Sequence, residues 1–221
     1  MSARDVLLAS RNRHKLTEIR DLLSDLPIRV VAPDDVGLAA DPAEEQIERW
    51  ATFEANALAK AAWFHARSGL PTMSDDSGLC VDALGGAPGV WSRRFAPPDE
   101  VGPDGQDAAN NRHLVEALGD RPDAERGAHY RCALAYIDER FRVVVFGRCE
   151  GRIAVGPRGD GGFGYDPLFL VPELGRTFGE LRPAAKAERS HRAAAVRAVR
   201  PWLSPRVQVL APRSSSEVTG D

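Results

Sequence analysis

Only three cysteines, Cys80, Cys132 and Cys149, occur in 221 residues. Their number is odd and their spacing wide, with no CxxC pair. That excludes a disulfide framework and a structural zinc site, and leaves reduced, buried thiols. Excess positive charge is also missing. A net charge of -3 offers no basic field for duplex nucleic acid, so an anionic ligand has to be met by local cations. No segment approaches the ~20 apolar residues of a membrane span. The run Val6 to Ala9, which follows Met1-Ser2-Ala3-Arg4-Asp5, is too short for a signal peptide. No internal repeat is visible. The expectation is a cytoplasmic protein with neither a membrane nor a nucleic-acid partner.

What is present suffices for one sizeable core: 43% hydrophobic and 28% charged residues is an ordinary globular balance. Val6-Leu7-Leu8-Ala9 reads as a buried strand. A polar turn follows, and then Leu16, Ile19, Leu22, Leu23 and Leu26 recur at helical spacing before a second strand, Ile28–Val31. This strand, turn, helix, strand unit predicts an α/β fold. Thr52 is the expected N-cap of a helix over 53–67, with Gly69 its stop. Further helices are expected over 107–118 and 184–200, the last ended by Pro201. Segments 130–138 and 141–150 flank Asp138-Glu139-Arg140 and predict an antiparallel hairpin, with a short strand over 168–171. The sheet should therefore be mixed. Residues 1–203 read as one domain, and 204–221 as a polar, disordered tail.

The densest chemical signal is Gly159-Asp160-Gly161-Gly162-Phe163-Gly164-Tyr165-Asp166-Pro167. Four glycines in nine residues weaken any helix or strand but let backbone approach a ligand. Phe163 and Tyr165 offer faces for a flat ring, and Asp166 an acceptor for its edge. The turn Ser10-Arg11-Asn12 leads into a helix N-terminus, a ready anion site to which Lys15 adds charge. Asn56 and Lys60 lie four apart on one helix face. Asp75 and Asp76 follow a short apolar stretch, and their mutual repulsion is relieved by a divalent cation such as magnesium, with Glu44, Glu45 and Glu48 as further oxygen ligands. Near the last helix, Lys186 and Ser190 share a face while His191 and Arg192 point elsewhere. Either they serve two sides of one pocket, or the helix starts near Ser190. Together these features describe a nucleoside triphosphate: clamped phosphates, a metal on carboxylates and a stacked ring.

The same residues resemble the inosine triphosphate pyrophosphatase family, whose members hydrolyse non-standard purine nucleoside triphosphates. The matching motifs are Leu8-Ala9-Ser10-Arg11-Asn12-x-x-Lys15, the stretch from Thr52 to Ala61, Asp75-Asp76-Ser77-Gly78-Leu79, Gly85-Gly86-Ala87-Pro88-Gly89-Val90, Gly161 to Pro167, and Lys186 with Ser190-His191-Arg192. They cover residues 5 to 203 in order. The resemblance implies a long two-lobed α/β fold with a twisted mixed sheet, an active site in the cleft between the lobes, a homodimer and Mg²⁺. It implies that Ser10, Arg11, Asn12, Arg13, His14 and Lys15 hold the phosphates. Asp76 would be proton acceptor and metal ligand, with Glu48 a second metal ligand. Lys60 would contact phosphate and Ser77 the substrate. Phe163 would stack on the base, with Gly164, Tyr165 and Asp166 lining that pocket. Lys186, His191 and Arg192 would touch the nucleotide, the last two near a base carbonyl. The implied activity is release of pyrophosphate from ITP, dITP or XTP. The rivals are a pyrophosphatase for modified pyrimidine triphosphates and a non-catalytic nucleotide-binding regulator. Two departures stand out: Arg11 replaces a common glycine, and Glu48-Arg49-Trp50 replaces Glu-Thr-Gly.

Overall fold

The computed structural model describes residues 3–203; the tail expected to be disordered lies outside them. Strand β1 (Arg4–Leu8) pairs in parallel with β2 (Ile28–Val31) and with β3 (Thr72–Val81). From β3 onward the pairing is antiparallel through β4 (Gly127–Ile137), β5 (Arg142–Ile153), β6 (Phe169–Val171) and β7 (Arg176–Thr177), giving the order β2-β1-β3-β4-β5-β6-β7. The sheet is mixed, as the strand, helix, strand start and the late hairpin predict. Its helices are α1 (Arg13–Leu22), α2 (Phe53–Ser68), α3 (Gly105–Leu118), α4 (Pro183–Arg189) and α5 (His191–Leu203).

Local chemistry sets the helix ends. Asn12 caps α1 by accepting from the His14 and Lys15 backbone N–H groups. Thr52 caps α2 through the Ala55 N–H, and Gly69 ends it in the left-handed conformation at φ 67°. Helices α1 and α5 cover one face of the sheet, where Ile19, Leu23, Val196 and Val199 meet Leu8, Met73, Leu134 and Tyr136. Gly147 makes the close approach of α5 possible, because a Cβ there would run into the His191 carbonyl and the Ala195 N–H. Helix α2 covers the opposite face through Phe53, Ala57 and Ala61 against Cys80, Ala133 and Ala135. Towards the far end of the long strands, α3 packs Leu114 and Leu118 into a core with Leu79, Tyr130, Phe169 and Phe178.

Three expectations need correction. The Ser74-Asp75-Asp76-Ser77-Gly78 stretch reads as a turn after a strand, but β3 runs straight through it. Turn-prone residues are held extended by ten consecutive pairings with β4 and by charges from three helices. The last helix is two helices, not one. Ser190 is extended (φ -66°, ψ 148°), and its Oγ accepts from the Ala193 N–H at 3.1 Å, so it caps α5. Of the two arrangements open in the sequence, the helix starting near Ser190 is the one found. Nor does Pro201 end α5: the helix continues to Leu203, whose burial beside Val196 and Val199 outweighs the missing N–H.

Candidate active site

Side chains alternate along a strand, so Asp75 and Asp76 leave β3 on opposite faces. Asp75 joins the α1 and α5 side and is buried. Its Oδ2 lies 3.0 Å from Lys15 Nζ and 3.3 Å from Arg192 Nε. Lys60 Nζ donates to its backbone carbonyl at 3.1 Å. Burial pushes the Asp75 carboxyl up, but the charges of Lys15, Arg192 and Lys60 outweigh it and hold the group well below the usual carboxylate range.

Asp76 points to the α2 side. Its Oδ2 accepts from Asn56 Nδ2 at 2.9 Å and its Oδ1 from the Ser77 N–H at 3.0 Å. Burial pushes its carboxyl up to about 6; the Asn56 bond opposes this, and the nearby charge of Glu48 adds to it. Glu48 itself is paired with Lys60. Burial raises the Glu48 carboxyl, but the Lys60 charge brings it below its ordinary value, and Glu48 and Asp75 in turn hold the buried Lys60 charged against its own desolvation. One carboxylate is thus locked ionised and its neighbour is poised near neutrality, which is the arrangement a general base requires.

The first turn gathers polar and cationic side chains at the start of α1. Ser10 Oγ accepts from the Asn12 N–H at 3.2 Å. Lys15 faces inward to Asp75, and Arg13 and His14 are exposed on the first turn of α1. Arg11 makes contacts of its own. Its guanidinium donates to Glu44 at 2.7 and 2.9 Å, pairs with Asp34 and reaches the Leu38 carbonyl at 3.0 Å. It therefore anchors the acidic segment. The same contacts occupy Glu44, and Glu45 is exposed, so among these acids Glu48 is the one beside Asp76.

Phe163 stands 43% exposed at the tip of the glycine loop. Lys186 Nζ lies 4.5 Å from its ring centroid, and the His14 ring is near-parallel, 22° apart in plane, with centroids 6.4 Å apart. Asp166 and Tyr165 lie beneath the loop. The buried Asp166 carboxylate accepts from the Phe163 N–H at 2.8 Å and pairs with Lys186, while the Tyr165 hydroxyl donates to the Ser92 carbonyl at 2.8 Å. His191 is buried and stacked on Tyr130 with 4.7 Å between centroids; burial drives its pKa well below the ordinary value and keeps the ring neutral. Arg192 reaches Glu18, Asp75 and, at 3.5 Å, the Ser77 hydroxyl.

A family model described as the Ham1 family matches residues 6–202. The chain belongs to the Ham1 family. It is 46% identical over 196 residues to a dITP/XTP pyrophosphatase of Ralstonia nicotianae, covering 87% of this chain and 93% of that one. It is 47% identical over 210 residues to a dITP/XTP pyrophosphatase of Nocardia farcinica, covering 92% and 97%. Among solved structures, a Ham1 protein from Coxiella burnetii superposes with a TM-score of 0.79 at 36% identity, covering 90% of this chain and 98% of the other. The mixed, open sheet is the family's fold.

Against that family frame, several contributors carry no mark in the sequence. Glu18, on α1, accepts from the Ser190 hydroxyl at 3.3 Å and pairs with Arg192, tying α1 to α5. Its only sequence signal is its place one turn beyond Lys15. Asp107 and Asn111 on α3 reach the glycine loop across more than 50 residues, a contact no local pattern reveals.

Proposed function

We propose that this chain hydrolyses the non-canonical purine nucleoside triphosphates ITP, dITP and XTP to the nucleoside monophosphate and pyrophosphate, with Mg²⁺ as cofactor. The observation that carries this reading is Asp76: a carboxylate raised to about 6 beside Glu48, Lys60 and Lys15. Dedicated pyrophosphatases of Ralstonia nicotianae and Nocardia farcinica bearing the dITP/XTP name support it.

Among the described residues, no three His, Cys, Asp or Glu side chains are grouped to hold a metal ion by themselves. Magnesium needs only one or two carboxylates when substrate phosphate and water complete its shell. Asp76 and Glu48, hard oxygen donors whose charges repel each other, fit that requirement and would hold it. Bound there, magnesium supplies charge neutralisation at the phosphate oxygens. The chain's own residues do the rest. Ser10, Asn12 and the α1 N-terminus hold phosphate, and Lys15 and Lys60 add positive charge. Asp76 takes the proton of the water that attacks phosphorus at the α–β bridge. Phe163 stacks on the base, Lys186 lies against it, and neutral His191 with Arg192 and Ser77 closes the site from the α5 side. Asp166 and Tyr165 shape the pocket by holding its loop.

The test is an assay of ITP, dITP, XTP and the common triphosphates with Mg²⁺, reading monophosphate and pyrophosphate. Cleavage of the first three well ahead of ATP, CTP and UTP, and its loss on chelation, is the expected result. Equal cleavage of pyrimidine triphosphates, or nucleotide binding without pyrophosphate release, would overturn it.

The working unit in this reading is a homodimer. Helix α2 lies over β3 and β4 and leaves Phe146 of β5 half exposed, with Arg131 over its ring at 5.5 Å and Glu54 paired to Arg131. Arg148 and Glu150 continue the same face. A patch with an apolar centre and both charge signs is self-complementary about a two-fold axis, which favours a second copy as its occupant. Phe146→Glu is expected to halve the mass measured by light scattering; an unchanged mass places the contact elsewhere. No described helix is long and apolar enough to cross a membrane. A cytoplasmic location suits its nucleotide substrates.

A further inference from the structure

Phe163 is a large apolar side chain held out from a loop in which Tyr165 and Asp166 are buried. An unanchored loop would fold such a ring inward, so its backbone must be fixed. Three contacts do so. The Phe163 N–H donates to Asp166 Oδ2 at 2.8 Å. The Gly164 N–H donates to Asp107 Oδ2 at 2.8 Å, and the Gly164 carbonyl accepts from Asn111 Nδ2 at 2.9 Å. Peptide groups on both sides of Phe163 are therefore tied down, and only its side-chain torsions remain free. Gly164 itself is left-handed at φ 60°, a conformation glycine adopts without strain.

Asp107 and Asn111 are four apart on one face of α3. Asp107 stands in the first turn of that helix, where a carboxylate ordinarily serves the helix's own N–H groups. Here it reaches across to the loop instead. The next face of α3 is equally committed: Asn110 accepts from the Ala96 N–H at 2.9 Å and donates to the Ser92 and Arg93 carbonyls at 3.2 Å. Ser92 also receives the Tyr165 hydroxyl. Helix α3, the turn Gly89–Arg94 and the glycine loop form one braced unit around Phe163.

We propose that Asp107 and Asn111 are positioning residues for base recognition, aiming the Phe163 ring by gripping both backbone groups of Gly164. The proposal rests on the reading of Phe163 as the stacking face. A hydrogen bond of this kind contributes about 0.5–1.5 kcal/mol net, so Asp107→Ala should raise KM for ITP roughly 2- to 10-fold with kcat little changed. Asp107→Asn keeps an oxygen acceptor and should restore KM to near its original value. A purely structural role would not make the effect depend on Phe163, so the decisive measurement is a double-mutant cycle with Phe163→Ala. In that background Asp107→Ala should leave KM unchanged. If Asp107→Ala leaves KM unaltered in the original chain, or raises it equally in both backgrounds, the proposal is overturned. If Phe163→Ala alone leaves KM unaltered, the stacking reading has failed instead. Should Asp107→Ala not fold, Asn111→Ala, which removes the donor to the Gly164 carbonyl, carries the same cycle.

Discussion

Asp76→Asn is expected to lower turnover of ITP by about 10²- to 10⁴-fold while nucleotide still binds, because an amide of the same shape cannot take a proton from water. Two features single out Asp76 rather than its neighbour. Its carboxyl is pushed up to about 6 by burial, so it is ionised at neutral pH yet basic enough to accept a proton. Asp75 is held so far down by Lys15, Arg192 and Lys60 that it has little affinity for one. The two arms of the experiment are steady-state pyrophosphate release and equilibrium nucleotide binding. A variant that keeps more than a tenth of the rate removes Asp76 as the base. The pH profile adds a sign. A base must be unprotonated, so kcat/KM falls as pH drops through the pKa of Asp76. That acid limb lies at or below pH 6, since a bound divalent cation lowers the value of a carboxylate that holds it. In Asp76→Asn the limb should vanish.

How much of this was legible depended on the range of the interaction. Local chemistry read well: Asn12, Thr52 and Gly69 cap the helices the periodicity predicts, and the mixed sheet follows from a parallel start and a hairpin finish. Lys15, Lys60, Asp75, Asp76 and Arg192 converge because short motifs on three helices and one strand all meet at the middle of β3. What failed was whatever depends on distant charge. Asp75-Asp76-Ser77-Gly78 has turn composition, and only the cations brought by α1, α2 and α5 let it stay extended and buried. Arg11 sits in the polar turn before α1, and its contacts with Glu44 and Asp34, more than 20 residues on, carry no local mark. Asp166 and Tyr165 follow the exposed Phe163 closely in sequence. Alternation along an irregular loop is not fixed, and both turn inward.

Asp75→Asn is expected to cost about 3–5 kcal/mol of folding stability, the penalty for leaving buried charges without their partner. The cost should be larger than any other single substitution at the site causes. Asp75 is buried, and it is the shared counter-charge of Lys15 from α1, Lys60 from α2 and Arg192 from α5. Removing its charge leaves Lys15 without its carboxylate partner and weakens the field on Arg192 and Lys60, which keep Glu18 and Glu48. Urea denaturation of the two chains measures the difference, and a loss under 1 kcal/mol would show that the cations have other compensation. Combining Asp75→Asn with Lys15→Met removes one stranded cation and should recover part of the loss, which separates electrostatics from packing. The pH dependence follows from the direction of the shift. A carboxyl whose folded pKa is depressed contributes stability that is fully present above its unfolded value, about 3.9, and is lost as pH falls towards the folded one. The gap between the original chain and Asp75→Asn should thus stay constant from pH 8 to pH 5 and narrow only below about pH 4. A gap that widens as pH falls from 7 to 5 would mean that Asp75, not Asp76, is the carboxyl poised near neutrality, and the two would exchange roles in the reaction.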